Sequence, residues 1–541
     1  MINKFLTIFL IFSIVIIKVL SQSSNEQPLN VVPYPQEVTM IGCNIPLSVG
    51  SISIKSNIES TILSISISRY QSLFFPFVSN NVLKDSSSNI ELSLIIASDD
   101  ETLELGIDES YFLLVNQDTY QIKANTIYGA MRGLETFKQM VVYDVVENSY
   151  SLTCAEVVDY PTYQWRGLLV DNARHFLPKN MVLHIIDSMG YNKFNTMHWH
   201  LIDTVAFPVE SKTYPKLTEA LLGPGAIITH DDILEVVAYA KTYGIRVIPE
   251  FDVPGHSASW GVGYPELLSN CPGYPQSSIP LDCSNPYTYS FLENFFSEIA
   301  PLFQDSYFHT GGDELVIDCW ANDTSIQKWM KTNNYNTSDA FQYFEDQLDV
   351  ILKSINRTKI AWNDVLQHGV KFDKETTLVQ TWTNINDLRD VLAAGYKTIT
   401  SFFFYLDRQS PTGNHYHYEW QDTWEDFYAS DPRLNITSNA ENILGGEATM
   451  FGEQVSTVNW DARVWPRAIG ISERLWSATE INNITLALPR IGQFSCDMSR
   501  RGISSGPLFP DFCSLPDDLS FSFKPVYQLS KDEIKLILKK K

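Results

Sequence analysis

Gly311-Gly312-Asp313-Glu314 sets two carboxylates side by side directly after a pair of glycines. Glycine lets a backbone turn tightly and lets a ligand approach it closely. Adjacent carboxylates repel, so if both face one dry pocket, one takes a raised proton affinity and can act as a general acid while the other stays charged. The plain alternative is a helix amino terminus, where acidic residues are favourable. The surrounding pattern argues for the pocket. Asp171 with Arg174 and His175, His198 and His200 with Asp203, Glu250 with Asp252 and His256, Trp362, Trp382, Tyr405 with Asp407, and Glu447 with Glu453 each follow a short apolar run. Aromatic faces with carboxylates and an arginine suit a sugar, whose C–H faces stack on rings and whose hydroxyls take charged hydrogen-bond partners.

Those residues need strands to position them. Beyond about residue 160, short apolar runs alternate with amphipathic helices, as βα units require. Eight strands are expected, beginning near Gly167, Asn195, Arg246, Tyr307, Lys359, Thr377, Thr398 and Leu444. Between them lie helical patterns at Met181 to Met189, Ile233 to Tyr243 closed by Gly244, Phe291 to Phe303 and Phe341 to Ile355. The pattern predicts an α/β fold, a (β/α)8 TIM barrel whose site forms at the carboxyl ends of the strands. An open doubly wound sheet is the alternative, because hydrophobic pattern does not reveal closure. Upstream, from about 30 to 155, period-two alternation at Ser51 to Ile54, Ile90 to Leu94 and Tyr120 to Ile122 predicts strands, and Ile127, Met131, Leu134 and Phe137 predict a helix over 126–140. That is a small α+β domain, with its boundary at Tyr160-Pro161. The expected organisation is a signal peptide over 1–21, an amino-terminal α+β domain over 22–160, and a catalytic barrel with a carboxyl-terminal tail over 161–541. The Ser-rich stretch 85–88 is the sole low-complexity segment, and there are no internal repeats.

Composition is that of a globular enzyme, at 541 residues, 44% hydrophobic and 19% charged, which excludes disordered, collagenous and coiled-coil classes. Lys and Arg total 39 against 63 Asp and Glu, a net charge of −24, so nucleic acid and anionic membrane surfaces are poor partners. Lys4 followed by the apolar run Phe5 to Ile17 and then Val19-Leu20-Ser21 has the form of a cleavable secretory signal, too short for a membrane span. Asn322, Asn336, Asn356, Asn435 and Asn483 each begin an Asn-x-Ser/Thr sequon, as an exported chain would carry. Seven cysteines in an oxidising compartment should mostly pair, leaving at least one over. Cys496 and Cys513 are the easiest local pair, and a bridge among Cys271, Cys283 and Cys319 could brace loops near the acidic pair.

Six segments together resemble glycoside hydrolase family 20, the β-N-acetylhexosaminidases, in its eukaryotic lysosomal form. They are Trp165 to Asp171 with Arg174-His175, His198 to Asp203, Pro249 to His256, His309 to Glu314, and Trp465-Pro466-Arg467, in that order, within a match of roughly 30 to 520. The resemblance implies an exo-acting, retaining glycosidase that removes terminal non-reducing β-linked N-acetylglucosamine and N-acetylgalactosamine, with no metal and no cofactor. In such enzymes the substrate's own 2-acetamido oxygen is the nucleophile, an exception to the two-carboxylate scheme. Carried over motif by motif, Glu314 is the general acid and then base, Asp313 accepts the acetamide N–H, and Tyr405 donates to the acetamide oxygen. His256 and Asp203 form a relay to Glu314. Arg166 holds the 3- and 4-hydroxyls, Glu453 the 4-hydroxyl side and Asp407 the 6-hydroxyl. Trp362 and Trp382 wall the acetamide and ring. His198 and His200 read best as packed, hydrogen-bonded barrel residues.

The resemblance also implies Cys271–Cys319 and Cys496–Cys513 bridges; the family's amino-terminal bridge has no obvious pair here, and the partners of Cys43, Cys154 and Cys283 stay open, with Cys43–Cys154 as the available substitute and Cys283 then the odd thiol. Homodimerisation, oligosaccharide or glycoconjugate substrates, no membrane association and a lysosomal location are implied in the same way. The chain departs from the family pattern at Phe451, where a Trp is usual, so one pocket wall lacks an indole. Asp407 is followed by Arg408, which mixes features that disfavour and favour 6-sulfated sugars. Two rival readings remain. His198 and His200 lie on one face of a strand, as a metal-dependent amidohydrolase or deacetylase barrel would want. A non-catalytic sugar-binding protein would use the same pocket without turnover.

Overall fold

The computed structural model describes residues 29–77, 89–407, 422–516 and 525–539. The signal segment, the Ser-rich 85–88 and Arg408 lie outside the described residues.

The amino-terminal part is one mixed sheet of seven strands: β1 (Glu37–Leu47), β2 (Ile52–Ser56), β3 (Ile90–Ile96), β4 (Tyr111–Val115), β5 (Tyr120–Ala124), β6 (Val141–Asp144) and β7 (Ser149–Asp159). Their order is β1-β7-β4-β5-β3-β2, with β6 also on β7. Two helices, α1 (Thr61–Leu73) and α2 (Ile127–Met140), cover one face. Thr126 caps α2 by accepting the N–H of Gly129. Almost every residue of α2 is buried, because sheet and barrel enclose it on both sides. Strands β2, β3 and β5 fall where alternation placed them. Strands β1, β4, β6 and β7 were not anticipated. In β1 the register shifts between Met40 and Asn44, and Gly42 has φ +75°, so the alternation is broken. In β4 all five residues are apolar, so no period shows.

The barrel comprises β8 (Trp165–Asp171), β9 (Thr196–Ile202), β10 (Arg246–Phe251), β11 (Tyr307–His309), β12 (Thr358–Trp362), β13 (Thr377–Thr381), β14 (Lys397–Thr400) and β15 (Ile443–Met450). All neighbours are parallel, and β15 closes on β8. All eight expected strands are present, and the open-sheet alternative is excluded. Helices α3 (Lys179–Tyr191), α4 (His230–Lys241), α5 (Pro286–Ile299) and α6 (Thr337–Ser354) pack outside. The last three start before their apolar runs. Thr229 and Asn336 make capping boxes and Asn285 caps with Pro286 after it, whereas the apolar run marks only the buried face.

The interior is layered. Trp165, Ile248, Ile360, Leu378 and Ile399 plug the amino end. Above them lies a buried polar layer of His198, Glu250, His309, Gln380 and Glu447, and above that the mouth. At the amino end the sheet domain seals the barrel through charges. The Glu109 carboxylate receives Arg166 Nη2 on both oxygens at 2.7 Å, Arg132 Nε at 2.9 Å and Asn195 Nδ2 at 3.1 Å. Lys193 Nζ meets Asp159 at 2.9 Å in the same seam. Cys271–Cys319 and Cys496–Cys513 form as expected, Cys43 and Cys154, for which the sequence left the pairing open, make a third disulfide, and Cys283 is free and buried.

Candidate active site

The loop after β11 places the acidic pair. Gly311 has φ +67°, and a Cβ there would fall 1.8 Å from Asp252 Oδ1, so only glycine fits. Glu314 itself has φ +49° and His256 φ +45°, two non-glycine residues in the left-handed region facing one another. Such conformations cost of order 1–3 kcal/mol each and cluster at functional sites.

A relay crosses the mouth from this turn. His256 Nε2 lies 3.3 Å from Glu314 Oε2 and 3.6 Å from Asp313 Oδ2, and its Nδ1 lies 3.4 Å from Asp203 Oδ2. Asp203 also meets His200 Nε2 at 3.1 Å and Arg174 Nη2 at 2.9 Å. Arg174 continues to Asp171 at 3.0 Å and Glu453 at 3.2 Å, with its guanidinium 5.1 Å from the Phe451 ring centroid. Burial opposes the charge on His256, but Asp313, Asp203 and Glu314 together raise its proton affinity well above the ordinary imidazole. Asp203 is buried, yet Arg174, His200 and His256 hold it far below the usual carboxylate range.

The adjacent carboxylates divide in the opposite sense to expectation. Glu314, whose side chain is 60% exposed, is lowered by its hydrogen bond to His256. Asp313 is the raised one, because it is buried. Repulsion between neighbours predicts that they separate, but burial and the imidazole decide which way. In the open site the proton therefore rests on His256, within reach of Glu314. A sugar that covers Glu314 removes its water and shifts that balance toward the carboxyl.

Aromatic residues wall the opposite side. Trp362, at the end of β12, is buried and donates Nε1–H to Glu250 at 2.8 Å. Trp382 donates Nε1–H to Asp364 at 2.5 Å. Burial, and then Asp313, push the Asp364 carboxyl up to about 6. The ring of Tyr405 lies 6.1 Å from both Trp382 and Phe451, and Phe451 lies 6.5 Å from Trp362. Asp407 sits beyond Tyr405, where its charge acts on Arg467.

One expected binding residue is misplaced. Arg166 is the second residue of β8, at the amino end, and its guanidinium is consumed by Glu109, the Lys193 carbonyl and the Tyr163 carbonyl. It cannot reach a sugar. Arg174, eight residues on and past the carboxyl end of the same strand, occupies the mouth instead. Strand direction alone could have made the distinction, since only carboxyl ends feed the site. Asp364 was also missed: Trp362-Asn363-Asp364 gave no signal beyond its tryptophan.

His198 and His200 are barrel residues, as expected. His198 faces Glu447 at 2.7 Å and Glu250 at 3.0 Å, and His200 Nδ1 faces Glu250 at 2.5 Å. His198, Glu250 and His309 bring ligand-type atoms within 4.8 Å of one another. Each imidazole there is opposed by a carboxylate, and Glu250 additionally takes the Trp362 indole N–H. The donor set is that of a buried ion-pair network.

A barrel mouth with a carboxyl–imidazole–carboxyl relay beside a second carboxylate and an aromatic wall defines a glycoside-processing enzyme. Residues 163–479 match the model of glycosyl hydrolase family 20, catalytic domain, and residues 31–140 match beta-acetyl hexosaminidase like. The chain is 61% identical over 535 residues to beta-hexosaminidase subunit A1 of Dictyostelium discoideum, covering 98% of this chain and 99% of that one. It is 38% identical over 421 residues to beta-hexosaminidase subunit beta of Rattus norvegicus, covering 75% and 76%. Among solved structures it resembles the Flavobacterium johnsoniae chitobiase, with TM-score 0.75, 30% identity and coverage of 89% and 74%. The chain belongs to glycoside hydrolase family 20.

Proposed function

We infer that this chain is an exo-acting β-N-acetylhexosaminidase that releases terminal non-reducing β-linked N-acetylglucosamine and N-acetylgalactosamine, with the substrate's acetamide as nucleophile. The observation that carries this reading is that His256 spans Asp203, Asp313 and Glu314 within 3.6 Å at an aromatic-walled mouth.

The acetamide oxygen attacks the anomeric carbon as the glycosidic bond breaks, and Glu314 protonates the departing oxygen. Asp313 accepts the acetamide N–H and balances the positive charge on the oxazolinium ring that forms. Tyr405 donates its hydroxyl to the acetamide oxygen and aims it. Glu314, now charged, deprotonates a water that opens the ring at the anomeric carbon, and configuration is retained. Holding the attacking group in place is worth up to about 7 to 11 kcal/mol in favourable intramolecular cases. Arg174 takes the hydroxyl-binding role with Glu453, and Asp407 takes the 6-hydroxyl. Trp362, Trp382 and Phe451 supply faces for the acetamide and ring.

The five sequon asparagines are all exposed, which supports glycosylation of an exported chain. The lysosome is the proposed location, with oligosaccharides or glycoconjugates as substrates and a homodimer as the working form. Among the described residues no helix is long and apolar enough to cross a membrane. The test is Glu314→Gln beside wild type on a chromogenic β-N-acetylglucosaminide, with the matching plain β-glucoside as control. Turnover of the acetamido sugar alone, lost in the variant, is expected. No turnover by the wild type would leave a sugar-binding protein.

A further inference from the structure

Asp252 leaves β10 one residue past its end and lies beneath the Gly311-Gly312 turn. Its Oδ1 accepts the N–H of Gly312 at 2.9 Å. Its Oδ2 is buried and meets no N–H or O–H donor among the described residues, and the same is true of Asp313 Oδ1. The two carboxyls each bring an oxygen within 4.8 Å of the other. Two ionised carboxylates cannot hydrogen-bond to each other, since both only accept. One proton held between them gives both orphaned oxygens a partner.

We propose that Asp252 is a positioning residue for the reaction: it stands as a neutral acid and donates to Asp313, fixing Asp313 as the anion that takes the acetamide N–H. This rests on the role given to Asp313 above. The proton belongs to Asp252 because the counter-charge lies on the other side, with His256 Nε2 3.6 Å from Asp313 Oδ2. Burial and then Asp313 push Asp252 well above the usual carboxylate range, with Glu250 on its own strand adding to this, while His256 and His200 on β9 oppose it. On Asp313 burial raises, His256 lowers, and Glu250 and Glu314 raise. Asp364, after β12, presents a further carboxyl to Asp313. With Asp203, Asp252, Asp313 and Glu314 crowded about the one imidazole of His256, a neutral Asp252 keeps Asp313 from being the one that takes up the proton. Part of the electrostatic design is thus a carboxyl that contributes by carrying no charge.

The experiment is the pH profile of kcat/KM for wild type, Asp252→Ala and Asp252→Asn on a chromogenic β-N-acetylglucosaminide. Alanine removes the donor, so kcat/KM should fall about 10- to 100-fold, as for one hydrogen bond to a charged group. The acid limb should also move to higher pH, because Asp313 loses the bond that favours its ionised form. Asparagine keeps an N–H donor toward Asp313 and an oxygen toward Gly312, and should restore most of the rate with the acid limb back in place. An asparagine variant as poor as the alanine one overturns the proposal, since it would mean that an ionised Asp252 is required. An alanine variant with the wild-type acid limb also overturns it. Should the alanine variant not fold, asparagine against wild type decides alone. Loss of wild-type activity in EDTA with recovery on adding a divalent cation would put a metal where the proton is proposed. Asp313→Asn is the control: wild-type rates there would sink the role of Asp313 itself and overturn the proposal with it, whereas a poor Asp313→Asn beside a wild-type-like Asp252→Ala would overturn the proposal alone.

Discussion

Strand β8 carries an arginine near each end, and the two have opposite fates. At the amino end Arg166 is fully buried and held bidentately by Glu109 of the sheet domain, with Arg132 sharing the same carboxylate. At the carboxyl end Arg174 spans Asp171, Asp203 and Glu453 beneath the open mouth. Both make three or more charge-assisted contacts, so a count of ion pairs does not separate them. What separates them is where the contacts lead. Those of Arg166 end on groups that seal two domains together, and those of Arg174 end on His256 and Glu314 through Asp203. One end of the barrel uses charge for cohesion and the other for chemistry.

Substitutions should divide along that line. The largest effect belongs to Glu314→Gln, where loss of a general acid lowers kcat by about 10²- to 10⁴-fold. Its thermal midpoint should match wild type, because the side chain is largely exposed; activity assays beside calorimetry check both halves. Next is Arg166→Met, which leaves Glu109 buried with a weaker counter-charge and should cost about 3–5 kcal/mol in chemical denaturation. The folded fraction should keep the wild-type KM. Arg174→Met should do the reverse, lowering kcat/KM about 10- to 100-fold for one lost charged hydrogen bond, with the smaller change in midpoint. A raised KM in the Arg166 variant and none in the Arg174 variant would erase the distinction between the two ends. A milder effect is expected for Tyr405→Phe: about a 10-fold fall in kcat from one lost neutral hydrogen bond, read as initial rates at saturating substrate.

The smallest effect is in acid stability, and its sign follows from Glu109. Burial raises its proton affinity, but Arg166 and Arg132 outweigh burial and hold it below the ordinary value. A carboxylate whose folded pKa is depressed stabilises the fold above its unfolded pKa, about 4.3, and that contribution is lost as pH falls through the folded value. Midpoints measured from pH 6 down to 3 should therefore drop below about pH 4, and the drop should be shallower in Arg166→Met. Equal slopes in both proteins would show that Glu109 carries no such linkage.

The barrel strands were legible because eight short segments with apolar residues alternate with amphipathic helices, whereas closure itself is a pairing of β15 with β8 that no local pattern carries. Half of the sheet domain was not, since a bulge in β1 and an all-apolar β4 hide the alternation. In the site, Asp313, Glu314, His256 and Asp203 could be read because they sit in dense motifs at strand ends. Arg166 was misread because its motif resembles the family's as closely as that of Arg174, and only strand direction distinguishes them. The reversed proton affinities of Asp313 and Glu314 were invisible in sequence, since they depend on which of the two is buried and which faces an imidazole.

The central claim is that the sugar's acetamide oxygen makes the first new bond, and the most direct measurement varies that oxygen's nucleophilicity alone. Matched chromogenic β-glucosaminides bearing N-acetyl and N-trifluoroacetyl groups should be compared for kcat/KM at one pH. Fluorines withdraw electrons from the carbonyl, so the account predicts a fall of several orders of magnitude for the trifluoroacetyl substrate. Equal rates would contradict it and put an enzyme side chain in the role of nucleophile.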